Sequence, residues 1–235
     1  MSYSNLILTG GINHDFHAAS QALKTELMKS GINSEIYSDL DEGFFQFRSR
    51  RFDLLTVFAL RWRMLDHSKY EPYRTEWAYE IEKRDQEAIL DHLNRGRGLL
   101  GLHTAAICFD TWKEWESILG VKWVWNKTFH PPPQKIRVLS TTQKHQVTQS
   151  LTDFEVTDEV YHNLRCIPQT IPLLYTLDGE GNKKQVLAWA HNELKGRVIY
   201  SSIAHDKHSI VSNGHSDFLR ESALWCIGDK FEEQQ

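Results

Sequence analysis

The apolar positions of this chain fall into short unbroken runs separated by stretches of helical spacing. Residues 5–9 read as a buried strand ended by Gly10-Gly11. Residues 53–60, Asp-Leu-Leu-Thr-Val-Phe-Ala-Leu, are too continuously apolar to lie on a solvated face and form another. A further run, Gly98-Leu99-Leu100-Gly101-Leu102, ends in His103 and turns into Thr104-Ala105-Ala106, with glycine allowing close backbone approach. Between these runs, Ala19, Ala22, Leu23 and Leu27 recur at helical spacing, and Gly31 is placed to cap that helix. Residues 33–37 make a strand parallel to the first through a right-handed crossover. No element is predicted over 38–52, and residues 61–75 are charged, poorly periodic and read as a loop. A helix is predicted over 76–94, with Trp77, Ile81, Ala88 and Leu93 sharing a face and Gly96 ending it. This β-α-β-α-β order predicts an α/β fold: a doubly wound, mainly parallel sheet flanked by helices, of flavodoxin-like type.

The second half changes character. Thr111-Trp112-Lys113-Glu114 matches a capping box, with Thr111 as N-cap and Glu114 reaching back. Trp112, Trp115 and Leu119 would be the apolar side of that helix, and Gly120 would close it. Residues 122–133 form an aromatic insertion ending in Pro131-Pro132-Pro133, which cannot join a central ladder. Extra strands are predicted over 135–140, 154–157, 173–177, 186–191 and 197–203, with turns at 178–182 and 192–196. A last helix holds Phe218, Leu219, Ala223, Leu224, Trp225 and Ile227. With no repeat and no linker, residues 1–235 read as a single domain.

Composition narrows the function. A net charge of −4 offers no basic surface, which argues against nucleic acid and anionic membranes as partners. No apolar run approaches the ~20 residues of a membrane-spanning helix, and the N-terminus lacks the charged and apolar regions of a signal peptide. The three cysteines, Cys108, Cys166 and Cys226, are widely separated and give neither a disulfide framework nor a CxxC site, so a reducing cytoplasm is expected. No GxGxxG follows the first strand, so this chain is not expected to bind NAD.

The twelve histidines and eight tryptophans carry the candidate chemistry. Asn13-His14-Asp15, His103-Thr104 and His205-Asp206-Lys207-His208 each follow a predicted strand. Parallel strands present their carboxyl ends on one edge, so His14, His103 and His205 are expected to converge there. Asp158-Glu159-Val160-Tyr161-His162 is a fourth polar cluster. His103, Glu159 and His205 form a candidate ligand set for a divalent transition metal, zinc or manganese, with Asp158 orienting one of them. The same groups could instead act without metal as acid and base. Trp123, Trp125, Phe129, His130 and Gln134 are placed to form a sugar-binding rim, whereas core packing is favoured for Trp112 and Trp115. Cys108, next to Phe109, reads as a buried thiol and not a nucleophile, and no G-x-S-x-G is present.

Gly101-Leu102-His103-Thr104-Ala105, the segment around Trp112, Phe129-His130-Pro131-Pro132-Pro133-Gln134, Asp158-Glu159-Val160-Tyr161, Gly196-Arg197-Val198-Ile199-Tyr200 and Ala204-His205 together resemble the ThuA-like, or trehalose-utilisation, family. The resemblance implies a class I glutamine amidotransferase-like fold without the amidotransferase cysteine. It also implies a role in disaccharide or glycoside catabolism beside sugar dehydrogenases that make 3-keto sugars, and, in some relatives, a metal at such histidines. His14, His103, Glu159 and His205 match positions the family keeps polar, and His130 matches its His-Pro-Pro element. Ala204 departs from the family's frequent Gly-His.

The expected function is therefore an enzyme of carbohydrate catabolism acting on an oxidised or keto sugar. His103, Glu159 and His205 would be its centre, and His14, His130, Gln134, Trp123, Trp125 and Tyr161 its substrate contacts. The alternatives are a non-catalytic sugar-binding subunit of a sugar dehydrogenase and, least favoured, a thiol hydrolase using Cys108. The expected partners are a small-molecule sugar, a second copy of the chain and such a dehydrogenase. No role is assigned to His17, His162, His191 or His208.

Overall fold

The structure is a computed structural model that describes residues 2–141, 144–178 and 183–228. The turn expected over 178–182 lies, apart from Asp178, outside the described residues. The first half comprises β1 (Tyr3–Gly10), α1 (Phe16–Met28), β2 (Ile32–Tyr37), α2 (Leu40–Ser49), β3 (Leu54–Ala59), α3 (Arg74–Trp77), α4 (Lys83–Asn94) and β4 (Gly98–Leu102). Then come α5 (Trp115–Leu119), β5 (Val121–Lys122), β6 (Gln134–Ser140), β7 (Phe154–Asp158) and β8 (Arg165–Cys166). The chain continues with β9 (Ile171–Asp178), β10 (Lys183–Glu193), β11 (Gly196–Ser201), α6 (Lys207–Val211) and α7 (His215–Ile227).

The main sheet has nine strands in the order β2-β1-β3-β4-β11-β10-β9-β6-β7. The first five are mutually parallel, and β10, β9, β6 and β7 extend them antiparallel. This is the doubly wound α/β architecture that the hydrophobic runs predict. Successive residues of the parallel strands feed opposite faces: Leu6 and Leu8 pack on one core and Ile7 on the other, as do Leu55 and Val57 against Leu54 and Phe58. α1, α6 and α7 cover one face, while α2, α4 and α5 cover the other. Inside the parallel core, Asn5 bridges Ser34 (3.0 Å) and Thr56 (2.9 Å), so its buried amide is satisfied across three strands.

Several local expectations are corrected. The predicted helix over 76–94 begins at Lys83. Trp77 instead ends α3, where the Arg61 guanidinium lies over its ring at 4.5 Å. The capping box at Thr111 does not form, because α5 starts at Trp115 with Glu114 as its N-cap residue, and Thr111 Oγ1 is buried without a hydrogen-bond partner among the described residues. Gly120 does close α5, in the left-handed conformation at φ 84°. α2, which the sequence reading left blank, carries Leu40, Phe44 and Phe47 inward, and the Asp39 carboxylate caps it. The space beside Gly101 admits Leu119 of α5, whose Cδ1 occupies the place an added Cβ would need.

Candidate functional site

Four strands deliver their carboxyl ends to one edge of the sheet. β1, β4 and β11 are parallel and lead to His14, His103 and His205. From β11, the steps through β10, β9 and β6 to β7 each reverse direction, so β7 runs the same way and delivers Asp158 and Glu159 to that edge. Among the described residues, β6 pairs with β9 at Leu139–Tyr175 and Ser140–Leu174. The ligating atoms of His14, His103, Glu159 and His205 all lie within 4.8 Å of one another.

Local geometry explains each placement. His14 follows Asn13, which turns the chain at φ 68°, and precedes Asp15, whose carboxylate caps α1 by accepting from the Ala18 amide at 2.9 Å. His205 precedes Asp206, which caps α6 in the same way through Ser209 N–H at 2.9 Å. Both aspartates are committed to helix N-termini and the histidines are left facing the centre. His103 itself takes φ 51° where β4 turns into a 3-10 helix, a conformation costly for a non-glycine residue. Tyr200 O–H donates to the His103 carbonyl (2.7 Å), and Thr104 O–H to the Ala59 carbonyl (2.7 Å), holding that turn.

The hydrogen-bond pattern fixes the tautomers. His103 Nδ1–H donates to the Ser202 carbonyl at 2.6 Å, and His14 Nδ1–H donates to the Ile12 carbonyl at 3.2 Å. A carbonyl can only accept, so in each neutral ring Nε2 is left with its lone pair. Those two Nε2 atoms face each other at 3.1 Å. Tyr161 O–H, fully buried, lies 3.1 Å from the same His103 Nε2. Glu159 contacts His103 (3.4 Å), His205 Nδ1 (3.4 Å) and His130 Nδ1 (3.3 Å). Glu159 Oε2 and His205 Nδ1 are nonetheless buried without a properly oriented hydrogen bond among the described residues.

Electrostatics follow from this crowding. Burial, with the nearby His103, pushes His14 down to about 3, so its ring is neutral. Burial pushes Glu159 up, but His103 and His205 outweigh it and hold the carboxyl below the usual range. The Glu159 carboxylate raises His205, and burial raises Tyr161 well above an ordinary phenol.

The remaining sequence-derived candidates divide. His130 stands at the open side, 37% exposed, with its ring 5.4 Å from Tyr161 and 6.0 Å from Trp123. Trp123 also meets Tyr161 edge-on at 5.1 Å. Trp125 packs on Trp62 and Tyr70. Gln134 is not brought to the centre, because its amide donates to Asp178 at 3.1 Å. His162 contacts the same Asp178 at 3.0 Å, His191 contacts the Ser117 carbonyl, and His17 and His208 are exposed. Cys108 is buried, bonded to the Ala59 carbonyl and pushed up to about 12 by burial, which removes it as a nucleophile. Asp158, read from sequence as an orienting group, is fully buried: its carboxylate accepts from the Glu159 amide (2.7 Å), the His205 amide (3.1 Å) and the Ser209 hydroxyl.

A doubly wound sheet with a histidine, and no cysteine, at the strained turn after its central strand defines the class. The chain belongs to the ThuA family, described as trehalose utilisation, whose model matches residues 5–226. No curated protein matches the chain. Among solved structures, it is similar to a ThuA-like protein of Parabacteroides merdae, with TM-score 0.76, 15% identity and coverage of 97% of this chain and 90% of that one. It is also similar to a ThuA-like protein of Bacteroides uniformis, with TM-score 0.67, 17% identity and coverage of 95% and 91%. A β-galactosidase of Rahnella sp. R3 contains the fold in part of its length, with TM-score 0.60, 14% identity and coverage of 96% of this chain and 31% of that one.

Proposed function

We propose that this chain is an enzyme of carbohydrate catabolism acting on an oxidised or keto sugar, with a divalent transition metal held by His14, His103, Glu159 and His205. The observation that carries the reading is the pair of facing Nε2 lone pairs of His14 and His103 at 3.1 Å. Two such lone pairs repel unless a cation or proton stands between them. Glu159 Oε2 and His205 Nδ1, buried without a properly oriented hydrogen bond among the described residues, supply two further ligand atoms. Imidazoles with one carboxylate suit zinc, manganese and similar ions. Ligands about 2.0–2.2 Å from an ion are at most ~4.4 Å apart, so the observed spread of up to 4.8 Å requires closure by a few tenths of an ångström.

A bound divalent ion would supply Lewis acidity toward a sugar carbonyl. The chain's own groups do the rest. His130, half-exposed and 3.3 Å from Glu159, is placed to move a proton at the carbon beside the carbonyl. The Tyr161 hydroxyl, kept protonated by burial, lies 3.1 Å from His103 Nε2 and would be free to donate to a substrate oxygen once a metal takes that lone pair. Trp123 narrows access for water next to both. We place the protein in the cytoplasm, as its three free cysteines support, acting with a sugar dehydrogenase or as a homo-oligomer. Among the described residues, no helix is long and apolar enough to cross a membrane.

Elemental analysis of protein purified without a histidine tag tests the reading. Near-stoichiometric transition metal in wild type, lost in His103→Ala and in His205→Ala, is expected. No metal in wild type after supplementation would overturn the metal assignment and leave the acid–base and binding-subunit readings.

A further inference from the structure

The chain carries a net charge of −4, yet one cleft gathers positive charge. It measures about 520 Å³ and opens where β3 and β4 begin, on the edge of the sheet opposite the histidine centre. Five arginines line it. Arg48 stands in the last turn of α2, Arg50 and Arg51 lead into β3, and Arg95 and Arg97 join α4 to β4. Asp91 is the one carboxylate among its lining residues, and burial keeps His92 neutral.

Four of these guanidiniums are positioned in advance by carboxylates. Arg48 pairs with buried Asp85, and Arg97 with Asp53. Arg50 binds Glu35 through two nitrogens, at 2.7 and 2.9 Å, and Arg95 binds Asp91 through Nε at 2.7 Å. The Arg50 guanidinium also lies 5.2 Å from the centre of the Phe52 ring, which stacks on Phe47 at 6.2 Å and 21°. Both rings are buried, so they give the arginines a fixed apolar base.

Most of the donors are still uncommitted. A guanidinium carries five N–H groups. Among the described residues, Arg48, Arg95 and Arg97 each commit one guanidinium nitrogen to a carboxylate, and the exposed Arg51 side chain makes no hydrogen bond or ion pair. The ends of α2 and α4 favour a nearby cation, which accounts for Arg48 and Arg95. Glu35 and Asp53 answer Arg50 and Arg97. Arg51 is a fifth cation against four carboxylates, and like charges gathered round one cleft repel unless an anion is shared among them.

We propose that this cleft binds the phosphate group of a small phosphorylated molecule, a sugar phosphate or a nucleotide, through Arg51 and the free N–H groups of its neighbours. A phosphate monoester brings about two negative charges and three acceptor oxygens, which guanidinium forks approaching from several directions can share. The volume lies within the roughly 300–1,000 Å³ of small-molecule sites, so it has room for an organic part as well as the phosphate. The site stands apart from the histidine centre and does not depend on the carbohydrate reading.

Calorimetric titration of glucose 6-phosphate and of ADP, with glucose and adenosine as phosphate-free counterparts, tests it at one fixed salt concentration. The proteins are wild type, Arg51→Ala, Arg95→Ala and Arg63→Ala. Arg51 and Arg95 are exposed, so both variants should fold. Arg63 follows β3, so its replacement removes the same charge at the opposite edge of the sheet. At least one phosphate is expected to bind wild type with one-to-one stoichiometry, and the tighter of the two identifies the organic part. Its affinity should fall about tenfold in Arg51→Ala and at least threefold in Arg95→Ala, the scale of a charge-assisted hydrogen bond. Arg63→Ala should leave it unchanged, and Arg51→Ala should not alter the phosphate-free counterparts. Binding of neither phosphate, binding that survives Arg51→Ala, equal weakening in Arg63→Ala, or an equal effect on the phosphate-free counterpart would overturn the site.

Discussion

The Asp158 carboxylate accepts the backbone amide of His205 at 3.1 Å, so a strand-end aspartate on β7 fixes the segment that follows β11. The same carboxylate holds the Glu159 amide and the Ser209 hydroxyl, and Asp158 is fully buried. Two proposed ligands therefore share one support that itself touches no ligand atom.

Asp158→Asn should weaken metal retention far more than its distance from the ion implies. An amide oxygen accepts fewer and weaker bonds than a carboxylate, and outer supports of this kind are worth about 10–100-fold in metal affinity. Competition with a chelating dye measures it. Wild-type affinity in the variant would count against the proposed ligand set.

His162 should matter for the insertion and not for the metal. It exchanges backbone bonds with Phe129 (2.8 and 3.3 Å), stacks on that ring at 4.8 Å, and contacts Asp178. Phe129 adjoins His130, so His162→Ala should raise KM several-fold while metal content stays at the wild-type level. Equal loss of metal would mean that the anchor serves the whole centre.

Acid should destabilise the fold partly through His92, remote from the site. Burial pushes it down to about 4, and its Nε2–H donates to the Gly98 carbonyl at 2.8 Å. Between about pH 6.5 and pH 4 the unfolded chain binds this proton and the folded chain does not, so stability falls as pH falls through that window. The full effect is about 3 kcal/mol for this group. His92→Gln keeps a donor and removes the titration, so urea unfolding at pH 7 and pH 5 should show a shallower loss in the variant. Parallel losses would refute the assignment.

Gly98→Ala should be costly although the change is one methyl group. A Cβ there would stand 2.5 Å from the Cys226 carbonyl oxygen, which is backbone of α7 and cannot rotate away. Overpacking of this kind costs about 1–3 kcal/mol, and a chain of this size loses about 2–4 °C per kcal/mol in Tm. An unchanged melting temperature would mean that α7 slides freely against β4.

Much of this fold was legible because parallel strands covered on both faces are written as continuous apolar runs, and those runs place His14, His103 and His205 at strand ends. α2 was not legible: Gly43 interrupts it, yet that glycine is a packing device, since a Cβ would meet Leu8 at 2.5 Å. The capping box failed because the Thr111 pattern is purely local, and α5 begins three residues after Trp112. Gln134 directly follows the insertion that holds His130, but as the first residue of β6 it pairs with Asp178 instead. Nothing in the spacing of Asp158 and Glu159 revealed that one is a support and the other faces the imidazoles. That division depends on contacts with the His205 amide after β11 and with Ser209 of α6, far along the chain.

The reversals that carry the chain from β11 to β7 impose a parity rule on divergence. Adding or losing a single strand in this extension would send Glu159 to the opposite edge of the sheet, away from the three histidines. Relatives that keep the carboxylate are therefore free to lengthen or shorten the extension only by hairpins.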